Sequence, residues 1–168
     1  MSHPMRLMQN TPLETRDVHR ERLSPSLWML ITIALMGPMA SLVFLPVAAS
    51  LAGVIGAVVS LVLVTASILL APVVRVNGTT LYAGRAHIDA RWLGEPEHFT
   101  GQDARDRRGR DIAHDGWHLI RGGIDGLVVV PITDPADPMR SWTISTRMPD
   151  RLAAAIRTAR AAAAASDD

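Results

Sequence analysis

LSPSLWMLITIALMGPMASLVFLPVAASLAGVIGAVVSLVLVTASILLAPVV, residues 23–74, contains no Asp, Glu, Lys, Arg or His. As one straight helix it would extend roughly 78 Å at 1.5 Å per residue, against a hydrocarbon core about 30 Å thick. One crossing uses too little of it, and two crossings fit. The pattern predicts a transmembrane hairpin over 23–73, with helices at 26–45 and 51–73. Pro46 and the small-residue run Val47-Ala48-Ala49-Ser50 are the expected turn. Pro38, after Gly37, lacks an amide donor and crowds the preceding turn, so a kink is expected there. A buried hairpin in a soluble protein is disfavoured, because helices apolar all round need a large surrounding core. Val47-Ala48-Ala49 resembles a signal-peptidase site, but the run before it is too long and a second apolar span follows.

Arginine sets the orientation. Arg6, Arg16, Arg20 and Arg22 precede the first span, and Arg75, Arg85 and Arg91 follow the second. The turn has no basic residue, so the positive-inside bias places both termini in the cytoplasm of a bacterial plasma-membrane protein. Trp28 suits the headgroup level at the edge of the first span. Ala52, Gly56 and Ser60 recur every four residues and form a helix-packing face. Its partner is either Ala34, Gly37 and Ser41 of the first helix or a second copy of the chain. The spans hold no charged group to mark a proton relay or ion path. They hold no His for a haem, and the chain has no Cys. The hairpin reads as an anchor.

Outside the membrane, a net charge of +1 gives no electrostatic case for nucleic acid as a partner. Residues 1–22 are polar, with Pro4 and Pro12, and are expected to be disordered. Val18–Leu23 is expected to be a short interfacial lead-in. Residues 74–160 switch to short alternating strands. Asn77-Gly78 between β-forming runs is a hairpin signal with positive φ expected at both residues. Arg85–Ala90, Trp117–Arg121, Leu127–Thr133 and Ser141–Arg147 read as further strands, and Gly94–Gly101 as a loop. Gln102–Arg108 is a short polar helix or a solvated loop. Pro149 and Asp150 open a terminal helix whose apolar face is Leu152, Ala155, Ile156, Ala159 and Ala163. Residues 161–168 are expected to fray. The fold class is therefore membrane α+β: a two-helix transmembrane hairpin, then a small antiparallel β domain capped by a C-terminal helix.

The ordered runs His19–Leu23 (HRERL), Val73–Ile88, Asp134–Pro138 (DPADP) and Ser141–Ile156 resemble an actinobacterial membrane protein family, domain of unknown function 3093. That resemblance implies a bacterial membrane protein and no particular activity. The order hairpin, strands, terminal helix is also similar to bacterial pleckstrin-homology-like (PH-like) membrane proteins, a likeness that confers no function.

Three clusters carry candidate chemistry. His114 and His118, with Asp103, Asp106 and Asp111 upstream, are the metal-ligand candidates. On a helix two His four apart would share a face, as in some metal sites, but Gly116 and the surrounding strand-like pattern argue against a helix. Arg105, Arg107, Arg108 and Arg110 are candidates for lipid-headgroup or partner contact, although interleaved Asp residues offset much of their charge. Asp134, Asp137 and Arg147 read as turn chemistry and a strand-end ion pair. No cofactor is implied. The leading expectation is a non-enzymatic, membrane-anchored binding or accessory module whose partners are membrane lipids, a membrane protein or a second copy. The rival is a metal-dependent enzyme using residues 103–118.

Overall fold

The computed structural model describes residues 17–46 and 49–166. The expected disorder of residues 1–16 and the turn residues Val47 and Ala48 lie outside the described residues. Strand β1 (Asp17–Arg22) leads into helix α1 (Leu27–Leu42) and helix α2 (Ala49–Leu69). Strands β2 (Val73–Asn77), β3 (Thr80–Ala83) and β4 (Ala86–Asp89) follow, with a single 3-10 turn at Ala90–Trp92. Then come β5 (Glu97–Phe99), α3 (Gly101–Arg108), β6 (Gly116–Leu119), β7 (Leu127–Pro131), β8 (Ser141–Ser145) and α4 (Pro149–Ser166). The fold is α+β, with two four-stranded sheets ordered β1-β2-β3-β4 and β5-β7-β8-β6.

Several expectations are corrected. Asp17–Arg22 is a strand paired to β2, where the sequence suggested disorder and an interfacial lead-in. Its inward residues His19 and Glu21 are polar, so the alternation did not look like a buried strand. Gly94–Gly101 is not all loop: β5 pairs with β7. The single antiparallel sheet becomes two sheets, and in the second β6 runs parallel to β8. Residues 161–166 do not fray; they continue α4, because Ala is the best helix former and Ala163 is buried.

The hairpin is shorter than predicted at both helices. α1 ends at Leu42, and Val43, Phe44 and Leu45 close with i→i+3 bonds to Ala40, Ser41 and Leu42. α2 ends at Leu69 because Pro72 biases Ala71 away from helix and Val73 is taken by β2. By length and composition, Leu51–Leu69 within α2 is the one helix among the described residues able to cross a membrane. α1, with 16 residues, is apolar but falls short of that length. Their outer side chains are open: Trp28 of α1 is 79% exposed, and Leu61 and Leu69 of α2 are 68% and 67% exposed. α2 is therefore not the core helix of a globular domain.

Both hairpin turns of the first sheet put Gly first. Asn77 pairs with Thr80, so the central residues are Gly78 and Thr79, one place later than the sequence suggested. Gly78 has φ +57°, and no non-Gly described residue has positive φ. Gly84, at φ +63°, does the same between β3 and β4. Gly at the first central position is the type II′ pattern. Val74, Val76, Leu81 and Ala83 then face inward against Val128, Val130, Ile144 and the apolar face of α4. Leu152, Ala155, Ile156, Ala159 and Ala163 of α4 are all in that core.

Candidate functional site

Two places join distant parts of the chain. The first is the helix seam. Pro38 has no N–H, so the carbonyl of Ala34, four residues earlier, loses its helical donor. Ser60 Oγ of α2 donates to that carbonyl at 2.6 Å. The approach needs absent side chains. A Cβ on Gly37 would lie 2.0 Å from Ser60 Oγ and 2.2 Å from Gly56 O. A Cβ on Gly56 would meet Ser41 Cβ at 3.0 Å. Ala52 is also buried, so Ala52, Gly56 and Ser60 lie along the α1 side of α2. Gly53, on the adjacent row, meets nothing within 4 Å.

The second is a polar joint where the hairpin enters the domain. Glu21 is 6% exposed. It accepts from the Thr146 hydroxyl, and from the Arg147 amide at 2.8 Å. His19 Nε2 stands 3.8 Å from the same carboxylate. Burial by itself would raise the Glu21 pKa; the neighbouring His19 and the bonds from the Thr146 hydroxyl and the Arg147 amide outweigh it and hold the carboxyl below the ordinary glutamate value. The Arg147 guanidinium donates to the carbonyls of Arg22 (3.3 Å) and Ser24 (2.7 Å), pinning the strand-to-helix passage. Arg22 reaches the C-terminal end of α2, donating to Ile68 O at 2.7 Å and Leu69 O at 3.0 Å, where a cation also meets the helix dipole. Gly123, at φ +77°, lies against Ser26, which caps α1 by accepting from Met29 N.

The two buried hydroxyls at the joint are engaged within the fold. Thr146 is fully buried; its hydroxyl donates to Glu21 and accepts from Met148 N. Both roles are used, so no proton is free for transfer to a substrate. Ser145 is likewise buried and accepts from Arg121 N.

The sequence-predicted sites fall elsewhere. His114 lies in a turn and is exposed, while His118 is in β6, so the two do not share a helix face. Among the described residues, no group of three or more His, Cys, Asp or Glu is placed to hold a metal. Arg105–Arg108 are on α3, which resolves helix against loop for that segment. Arg110 pairs with Asp106 at 2.8 Å, and Arg108 donates to Asp125 O at 2.6 Å. Arg107 lies over the Phe99 ring at 4.8 Å. Arg105 is exposed. Asp134 and Asp137 accept from amides two residues on, which is turn chemistry, and Arg147 goes to the joint instead.

Sequence reading missed Glu21 and Thr146. The two segments that meet there, His19–Leu23 and Ser141–Ile156, lie at opposite ends of one family match. The family model described as a protein of unknown function (DUF3093) matches residues 18–156. The chain belongs to this family. No curated protein and no solved structure matches it. The DUF3093 match thus runs from the strand that carries Glu21 through the helix that follows Thr146.

Proposed function

We propose that this DUF3093 protein is a two-pass membrane protein, with α1 and α2 both crossing the bilayer and the α+β domain held at the cytoplasmic face as a binding or accessory module. One observation carries the reading. The strands flanking the hairpin are hydrogen-bonded neighbours, with Arg22 opposite Val73. If α2 crosses the bilayer, the chain must return through α1 for β1 and β2 to pair. α1 rises about 24 Å, and a short span is accommodated by local thinning and by snorkelling of flanking residues. Exposed Trp28 at its start suits the interface. The flanking arginines favour the cytoplasm for both ends. The pleckstrin-homology-like and actinobacterial likenesses remain likenesses of element order and motif. The metal-dependent enzyme is not proposed, because His114 and His118 are not brought together with further ligands.

The chain has no Cys, so single cysteines report topology without background. In intact cells a membrane-impermeant maleimide is expected to label Phe44→Cys. It is expected to label Gln102→Cys only after permeabilisation. Labelling of both from the same side would overturn the two-pass reading. Recovery of the full chain in the water-soluble fraction would overturn membrane insertion altogether. For a binding or accessory role, native-size measurement in mild detergent should give a complex larger than one chain, or lipid retained by it; a lipid-free monomer would count against it.

A further inference from the structure

The outward face of the first sheet carries charge that the fold does not use. Alternation along β1 turns His19, Glu21 and Leu23 inward and Arg20 outward. Arg20 pairs with Arg75, Arg75 with Tyr82, and Tyr82 with His87. Residues directly opposite across a ladder share a face, so these four form one transverse row. The Arg75 guanidinium lies 4.3 Å from the Tyr82 ring centroid, and Tyr82 stacks on His87 at 5.8 Å. A guanidinium resting on a ring keeps its in-plane donors available. Like charges directly opposite destabilise a sheet. Among the described residues, neither Arg20 nor Arg75 has an acidic partner at ion-pair distance.

The charge is graded along the strands. Towards the hairpin stand Arg22 and, in the turn after β3, exposed Arg85. Away from it Thr80 faces Asp89. Rows two residues apart are about 7 Å apart, within a Debye length of about 8 Å. The basic end is therefore the end joined to the helices. Beside Arg85 an apolar groove of about 540 Å³ is lined by Leu70, Pro72, Trp117 and Leu119. An apolar slot flanked by Arg85 at the basic end of the sheet suits an amphiphile better than a free anion.

We infer that this face, centred on Arg20 and Arg75, binds the head groups of anionic phospholipids. The inference rests on the membrane reading and names the partner that reading left open. It also moves lipid contact from α3, where Arg108 and Arg110 already have polar partners, to the sheet. Tethering by the hairpin holds weak headgroup contacts at high effective concentration.

The test uses the full chain in detergent micelles carrying phosphatidylcholine and phosphatidylglycerol in equal parts, with retained lipid read by native mass spectrometry. The wild type is expected to retain phosphatidylglycerol preferentially. Arg20→Gln with Arg75→Gln is expected to lower that retention about fivefold per arginine and leave phosphatidylcholine unchanged. Arg20→Lys with Arg75→Lys should restore much of it, and Arg105→Gln with Arg107→Gln should leave it intact. Because a like-charge pair is removed, the Gln pair is expected to melt at or above the wild-type temperature in micelles of phosphatidylcholine alone, where no bound anionic lipid adds to wild-type stability. Equal retention of the two lipids, undiminished retention in the Gln pair, loss only in the α3 variant, or a lower melting temperature of the Gln pair would overturn the inference. So would full displacement of phosphatidylglycerol by equimolar inorganic phosphate, which would reassign the face to a free anion. A water-soluble wild type would fail the membrane reading instead, and is scored separately by its need for detergent.

Discussion

The helix seam and the polar joint both tie together segments far apart in sequence, and they do it in opposite ways. At the seam the decisive residues are those with almost no side chain: Gly37 and Gly56 let two backbones approach, and one hydroxyl repairs the carbonyl that Pro38 orphans. At the joint the decisive residue is a buried charge, Glu21, held by Thr146 and the Arg147 amide. If both helices lie in lipid, as proposed, they gain nothing from burying apolar surface against each other, and close packing has to supply the attraction. A domain in water has burial already, and can spend some of it on a charge that fixes one geometry. Stability at the seam should thus depend on shape, and at the joint on hydrogen-bonding capacity.

The sharpest way to break that contrast is Gly37→Ala. One added methyl would meet Ser60 Oγ and the Gly56 carbonyl at 2.0 and 2.2 Å, and backbone cannot rotate aside. A loss of about 3 kcal/mol is expected, the upper range for overpacking, read by unfolding in detergent. Gly53→Ala adds the same methyl into open space and should leave stability within about 0.5 kcal/mol. Equal effects at the two glycines would refute the seam.

Next comes Glu21→Ala, which leaves the Thr146 hydroxyl and the Arg147 amide without an acceptor. About 2 kcal/mol is expected, within the usual cost of an unsatisfied buried partner. Glu21→Gln keeps shape and one acceptor oxygen, and should lose less. A shape-only joint would instead leave Glu21→Gln, which keeps the volume, as stable as the wild type, with the whole loss confined to Glu21→Ala.

How much of this was legible beforehand follows the same divide. The four-residue spacing of Ala52, Gly56 and Ser60 was legible because it needs only the helical period, while the choice between α1 and a second copy as its partner was not. The α4 face from Leu152 to Ala163 was visible for the same reason. The joint was not, because Glu21 and Thr146 lie 125 residues apart and each, beside its polar neighbours in sequence, looks like a side chain turned to solvent. The strand β1 vanished with it: an inward face of His19 and Glu21 gives no apolar alternation. Parallel pairing of β6 with β8 was equally hidden, since it depends on β7 lying between β8 and β5. Helix ends failed where another element claimed the residues, as β2 claims Val73.

Acid sharpens the joint further. The Glu21 carboxyl is held below its ordinary value, so its contribution is fully present above the ordinary glutamate range and is lost as pH falls through the lowered one. Glu95 has the same sign, through its bond from Arg157 foremost and then Arg160, but it is exposed, and such pairs contribute little. Melting followed from neutral pH into acid should therefore flatten more with Glu21→Gln than with Glu95→Gln. The opposite ranking would move the acid-sensitive contact from the joint to the α4 clamp.

The smallest effect belongs to Ser60→Ala. It removes the donor that answers the Ala34 carbonyl and leaves the close packing of Gly37 on Gly56 untouched. In water an orphaned buried carbonyl is expensive; in lipid the separated helices find other partners too, and measured hydrogen bonds between membrane helices average about 0.6 kcal/mol. A loss near that value is expected, several times less than for Gly37→Ala. Pro38→Ala offers the complement, because it returns the amide that Ala34 O lacks. In the Pro38→Ala background Ser60→Ala should cost less than it does alone, as the carbonyl then has its own helical donor. Strict additivity of the two changes would mean that Ser60 acts through packing alone, and that the seam is held by shape without any repair of the proline break.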